Sequence, residues 1–183
     1  MSSAKEYRVV EGLTAREPEI GRALWGLEEA RRRTLQRIEG IDPALLDWAA
    51  PESGNSIGSV LYHIAAIESD YLYADMLEQA FPQDVVDLFP YEVREENGRL
   101  TPVRGFDLQW YLDRLHVTRR HVLDALRAMD LADFRRVRSL DYADITPEWT
   151  LYHLTQHEAE HRGEIAALRA RAEHESAHKA NLF

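Results

Sequence analysis

Apolar residues recur at three- and four-residue intervals over four long stretches of this chain, each bounded by residues that start or stop helices. The first covers about residues 18–39, with Pro18 in its opening turn and Gly40 just past its end. Its inner stripe holds Leu24, Leu27, Leu35 and Ile38. The second covers about residues 56–80, with Asn55 or Ser56 as the cap. The third, about residues 107–129, repeats Tyr111, Leu115, Thr118, Val122 and Met129 at helical spacing. The fourth, about residues 147–172, begins where the Thr146 hydroxyl can cap a helix opened by Pro147. Between them, residues 42–48 form a short helical turn, and residues 135–145 are extended or irregular. Residues 81–106 hold three prolines and two glycines and form a long crossover with one short helix around residues 85–88. Strand-like alternation is weak throughout. The expectation is an all-α four-helix bundle, a single domain over residues 1–183, with the polar tail 173–183 frayed.

A chain of 183 residues can bury about 70% of its unfolded surface and needs no cross-link. It has no cysteine, hence no disulfide and no protein thiol to bind a metal or act as a nucleophile. No apolar run reaches the roughly 18 residues of a membrane span, and the opening seventeen residues lack the apolar core of a secretory signal. A cytoplasmic location is the expectation. The net charge of -10 argues against nucleic acid or an anionic membrane as the main partner. The dense basic cluster, Arg31, Arg32 and Arg33, follows Glu28 and Glu29 and reads as a solvated helix face.

The chemistry lies in the histidines. His153, His157 and His161 stand four apart on the fourth segment, so their rings share one helix face. Two imidazoles at this spacing can converge on one cation about 2.0–2.1 Å away. The outer pair are roughly 12 Å apart along the axis, so one adjacent pair binds and the third histidine does something else. A further ligand must come from another helix, and His63, among Val60, Ile64 and Ile67, points inward. The competing reading of His63 is a core histidine satisfied by a hydrogen bond. His116 and His121, five apart, face differently; His174 and His178 lie in the polar tail.

Residues 157–161 also match H-E-x-x-H, the zinc protease signature, in which the glutamate activates bound water. The extended form requires glycine and histidine where this chain has Glu164 and Ala167, and no strand edge is available to hold a peptide. Glu158 and His161 resemble half of a di-iron site, but the nearest counterpart, Asp113 with His116, has the wrong acid.

Two segments together carry a family resemblance. Residues 55–65, Asn-Ser-Ile-Gly-Ser-Val-Leu-Tyr-His-Ile-Ala, resemble the second-helix segment of the DinB-like superfamily. Residues 149–165, from Trp149 through His153, His157 and His161 to Ile165, resemble its last-helix segment. The resemblance implies an up-down-down-up bundle, often a homodimer, with one metal held by His63, His157 and His161. It implies that His153 is an additional histidine and not a ligand. The family often has glutamine at the position of Glu164 and histidine at that of Glu160; these departures spare the ligands but alter the charge near them.

Three neutral imidazoles leave coordination positions free, as in catalytic sites. Imidazole accepts zinc or nickel most readily in this reading, with iron or cobalt as alternatives. Glu158, Glu160 and Glu164 are the candidates for acid–base or ligand-orienting roles. The superfamily includes thiol-dependent transferases and isomerases, so the resemblance implies a metal-dependent transferase using a low-molecular-weight thiol and a small-molecule substrate. A hydrolase using metal-bound hydroxide and a non-catalytic, stress-related binding protein are the alternatives.

Overall fold

A computed structural model describes residues 8–51 and 53–180. Helix α1 (Pro18–Ile38) opens on its proline, and Gly40 beyond its end takes φ 63°, a left-handed conformation that glycine adopts without a Cβ penalty. A single 3₁₀ turn, Pro43–Leu45, follows. Helix α2 (Ile57–Asp70) starts where Ser56 Oγ accepts from Ser59 N at 3.2 Å. It then widens into a π turn, Tyr71–Met76. The short α3 (Gln83–Leu88) interrupts the crossover. Asp107 accepts from Trp110 N at 2.8 Å and starts α4 (Leu108–Ala128). The one-turn α5 (Leu131–Phe134) and a two-residue antiparallel pair, β1 (Arg138–Ser139) with β2 (Asp144–Ile145), lead to α6 (Pro147–Ala180). Thr146 Oγ1 accepts from Trp149 N at 3.1 Å, the expected cap.

The predicted bundle is present, with two adjustments. The second segment stops about four residues early, because the π turn ends the regular winding and Glu78 reverses the chain at φ 53°. The fourth does not fray at residue 173; α6 stays helical to Ala180. Trp48 Nε1 donates to Glu175 Oε2 at 3.2 Å, and Ala172 is buried, so this extension is packed. Residues 1–7 and 181–183 lie outside the described part, and with them the first residues of the opening segment and the end of the tail. Among the described residues, no helix is long and apolar enough to cross a membrane.

The core falls into two apolar clusters, and their membership gives the helix directions. One joins the end of α1 (Ile38), the start of α2 (Ile57), the start of α4 (Tyr111) and the second half of α6 (Ile165, Leu168). The other joins the start of α1 (Ile20, Leu24), the π turn after α2 (Leu72), the end of α4 (Leu126) and the start of α6 (Leu151, Leu154). Hence α1 and α6 run parallel, and α2 and α4 run parallel in the opposite sense: up-down-down-up. Parallel neighbours cannot be joined by a tight turn, which is why residues between α2 and α4 form a long crossover. Gly58 allows α2 and α4 to approach; a Cβ there would sit 2.5 Å from Tyr111 Oη.

Between the clusters lies a charged layer. Arg31 donates to Glu158 Oε1, Glu68 Oε2 and the Leu115 carbonyl, each at 2.7 Å. Arg119 donates to Glu68 Oε1 and Glu158 Oε2 at 2.7 Å, to Glu28 Oε1 at 2.8 Å and to the Leu27 carbonyl at 3.0 Å. Arg31 is therefore no solvated residue, contrary to the sequence expectation; only Arg32 and Arg33 of that cluster are exposed, paired with Glu29. Burial pushes the Glu158 carboxyl up, but the two guanidiniums outweigh it and hold the group below its ordinary range. Removing one partner of such a network costs about 3–5 kcal/mol, because the others stay buried and unpaired. Glu158→Ala should lower the thermal midpoint of metal-free protein by roughly 6–20 °C, read by calorimetry. A change under about 2 °C would show that the layer is not what holds the helices together.

Candidate metal centre

His63 is placed by α2, a helix buried on nearly every side, where its ring is 1% exposed. His157 and His161 project from one face of α6 toward it. His63 Nε2 lies 3.1 Å from His157 Nε2, and one nitrogen from each of the three rings lies within 4.8 Å of the others. Ring centroids are 5.0 Å (His63–His157), 4.8 Å (His63–His161) and 4.5 Å (His157–His161) apart. Two imidazole nitrogens bound to one tetrahedral ion at about 2.0–2.1 Å stand about 3.3 Å apart, close to the His63–His157 separation.

The chemistry of the donor set fits a cation. His63 Nδ1 is buried without a partner among the described residues, and the hydrogen-bond neighbour of its Nε2 is another imidazole. A satisfied core histidine does not look like this. Burial, reinforced by the neighbouring rings and by Arg94, pushes His63 down to about 3. Burial and the rings of His161 and His153 do the same to His157. Both rings are thus neutral at pH 7, the form that donates a lone pair to a metal.

Glu164 orients the third ring. Its Oε2 accepts from His161 Nδ1 at 2.9 Å and its Oε1 from Asn55 Nδ2 at 2.7 Å. The hydrogen bond from His161 holds the carboxyl below its usual value against the opposing effect of burial. A carboxylate on Nδ1–H leaves Nε2 as the free ligand atom. Asn55, which the sequence marks only as a possible cap, holds this carboxylate, while Ser56 does the capping. The fingerprint of the arrangement is an amide just before α2 and a carboxylate three residues beyond His161, the third histidine of α6.

The other candidates separate. Glu158, 1% exposed, is turned into the charged layer and not toward the imidazoles, so the H-E-x-x-H signature lacks its water-activating acid here. Glu160 is exposed. His153 stacks on Trp149 with ring centroids 5.0 Å apart and a 3° interplanar angle, and lies 6.2 Å from His157, outside the trio. His121 Nδ1 bonds Tyr73 Oη at 2.7 Å, while His116, His174 and His178 are exposed. Gly163, a mid-helix glycine that suggests tight packing, meets nothing within 4 Å. Tyr91 and Trp110 gather round Tyr62: Tyr62 Oη donates to the Tyr91 carbonyl at 2.7 Å, and Trp110 stacks on its ring.

With this geometry in place, comparison defines the class. The sequence pattern of the DinB superfamily matches residues 26–165, so the chain belongs to that superfamily. The crystal structure of a conserved protein from Enterococcus faecalis is similar, with a TM-score of 0.66 and 16% identity over 80% of this chain and 92% of that one. At that identity the likeness shows the shared bundle alone. No curated protein matches the sequence. The chain is thus a DinB-superfamily bundle whose His63, His157 and His161 can hold one metal ion.

Protein purified without a histidine tag should carry about one transition-metal ion per chain by elemental analysis, and His63→Ala should lose most of it. Equal stoichiometric metal in both would remove His63 from the ligand set. Acid gives a second check on metal-free protein. Folded-state values near 3 against about 6.5 unfolded mean that the unfolded chain binds more protons between these limits. The associated stability is complete above pH 6.5 and falls as pH drops toward 3. Between pH 6.5 and 5, where carboxylates stay ionised, the urea midpoint should fall less steeply in His63→Leu than in wild type; parallel slopes would contradict neutral burial.

Proposed function

We propose that this protein is a metal-dependent transferase that joins a low-molecular-weight thiol to a small-molecule substrate. The observation that carries this reading is that the buried Glu158 and the half-buried Glu164, the carboxylates near the trio, are already engaged. Glu158 is held by Arg31 and Arg119, Glu164 by His161 and Asn55, and Glu160 faces solvent. The trio therefore has two donors, His63 and His157, that burial keeps neutral, and no free carboxylate poised beside it as a general base. A hydrolase would want such a base to manage the proton of its water. A divalent cation held by His63, His157 and His161 would supply Lewis acidity and lower the pKa of a thiol, which would remove the need for that base. The chain has no cysteine, so the thiol comes from outside.

The chain's own residues then have distinct tasks. His63 and His157 stay neutral because they are buried, and Glu164 keeps His161 in the tautomer with a free Nε2. Arg94, on the crossover, adds positive potential at His63 and His157, which favours an anionic partner there. Trp149, His153 and Tyr71 form an aromatic wall beside the trio, with Tyr71 5.2 Å from His153 by ring centroids. Such a wall suits the apolar part of a small substrate.

The test uses cobalt-substituted protein and a panel of small thiols. Addition of the right thiol should produce a sulfur-to-cobalt charge-transfer band, absent in His63→Ala, and turnover of electrophilic substrates should require the thiol. Turnover that is equal without any thiol would support the hydrolase instead, and metal-loaded protein that shows neither band nor turnover would favour a binding protein.

A further inference from the structure

The arginines that the metal centre does not use converge elsewhere. Arg33 and Arg37 stand four apart on α1, as do Arg32 and Gln36, so the outer half of this helix is lined with long polar side chains. Helix α6 runs parallel alongside and adds Arg162, and the segment before α1 adds Arg8. These six residues line an open cavity of about 450 Å³. Five guanidiniums thus line one cavity in a chain whose net charge is -10.

Local pairing accounts for only part of this. Glu29 binds Arg32 at 2.6 Å and Arg33 at 2.7 Å. Arg37 and Arg162, by contrast, stand in no ion pair among the described residues. The dipole at the end of α1 favours Arg37, but it gives no reason for Arg162, on another helix, to face the same space. Like charges gathered round one cavity repel one another, and the glutamate that borders Arg37 on its other side, Glu173, is paired with Arg169 instead. Guanidinium forks match phosphate oxygens in pairs, which is the chemistry that such a cluster serves best.

A second cavity of about 280 Å³ adjoins the first and shares Arg8, Arg32 and Arg33 with it. Its other walls are Val9, Val10, Trp25 and Glu29. A mixed compartment that offers Trp25, Val9 and Val10 next to a cationic one suits a ligand with a flat ring and a charged head. We propose that this double cavity binds a small phosphorylated metabolite of the nucleoside di- or triphosphate kind, its phosphoryl groups among the arginines and its ring against Trp25. The small volumes of these two adjoining clefts favour such a ligand over nucleic acid, which would need a basic stripe running over the surface.

Arg162 follows His161 directly, but one residue turns a helix by about 100°, so the two side chains leave α6 in different directions. Binding at the arginines can therefore be measured in metal-free protein, whatever the metal centre does. Isothermal titration calorimetry at physiological salt should show binding of both pyrophosphate and adenosine triphosphate, the nucleotide more tightly. The double variant Arg37→Gln, Arg162→Gln should weaken both by roughly tenfold or more, since removing one charge-assisted hydrogen bond already costs about that factor. These side chains reach solvent, so an unchanged thermal midpoint would certify the fold. No binding of either probe, or equal binding by the double variant, would overturn the site. Tighter binding of a duplex oligonucleotide or of anionic vesicles than of the nucleotide would overturn the small-ligand assignment. Equal affinity for pyrophosphate and nucleotide would remove Trp25 from it.

Discussion

Two arginines and two glutamates, one from each long helix, meet in the middle of this bundle, and the positions of everything else follow from that meeting. Arg31, Glu68, Arg119 and Glu158 are each buried, and each guanidinium reaches both carboxylates. An apolar layer can slide by a turn at modest cost, because one leucine packs much like another. A buried quartet of charges cannot slide, since a displaced member leaves its partners unpaired in a medium that solvates them poorly. The layer therefore fixes how far α6 is inserted against α2. That register brings His157 and His161 opposite His63. In this protein the ion network and the metal centre occupy adjacent levels of the same frame, and the first sets the geometry of the second.

The same arrangement decides what the centre can do. Glu158 follows His157 directly, in the position of a water-activating glutamate in zinc proteases, yet it faces the other way. A helix turns about 100° per residue, so neighbours cannot both point at the ion and both point at the core. Once Glu158 belongs to the charged layer, the imidazoles are left as a partly buried set with one carboxylate, Glu164, on His161 Nδ1. The family fold does not by itself choose a reaction. What restricts the chemistry here is that the carboxylates near the imidazoles, the buried Glu158 and the half-buried Glu164, are already engaged, which is a property of side-chain direction and not of topology.

Periodicity suffices to read the four helices, the long crossover and the inward direction of His63. Each of those is a local property: a cap, a proline or a run of apolar neighbours. The pairing of His157 with His161, and not with His153, is open on spacing alone; it comes from the resemblance and agrees with the stacking of His153 on Trp149. The charged layer is harder to read, although its signal is present. Arg31 lies in phase with Leu24, Leu27 and Ile38, Glu68 interrupts an apolar run, and Glu158 is in phase with Leu151, Leu154 and Ile165. A charge in phase with the core stripe is a buried charge, and four such residues on four helices are partners. Counting Arg31 with Arg32 and Arg33 as one exposed cluster hides this, because adjacent residues on a helix face different ways. The continued helix past residue 173 escapes a sequence reading for another reason. Its support is long-range, from Trp48, and composition cannot show it.

Arg31 and its two neighbours illustrate how one short run can serve different surroundings. Arg31 enters the core, where two carboxylates offset its charge. Arg32 and Arg33 stay outside, share Glu29 and border the cavity that also receives Arg37 from one turn further along and Arg162 from the neighbouring helix. The parallel packing of α1 on α6 makes this convergence possible, since it carries the outer faces of both helices forward side by side over several turns. An acidic protein that gathers arginines in two places, one inside its core and one around an outer cavity, has separated their tasks. The inner set confers register, and the outer set, with Arg37 and Arg162 lacking a carboxylate partner among the described residues, leaves a positive field at one point of a negative surface. Such a field is strongest for a compact anion small enough to enter the cavity, because bulk salt screens the approach of larger polyanions more than contacts made inside it.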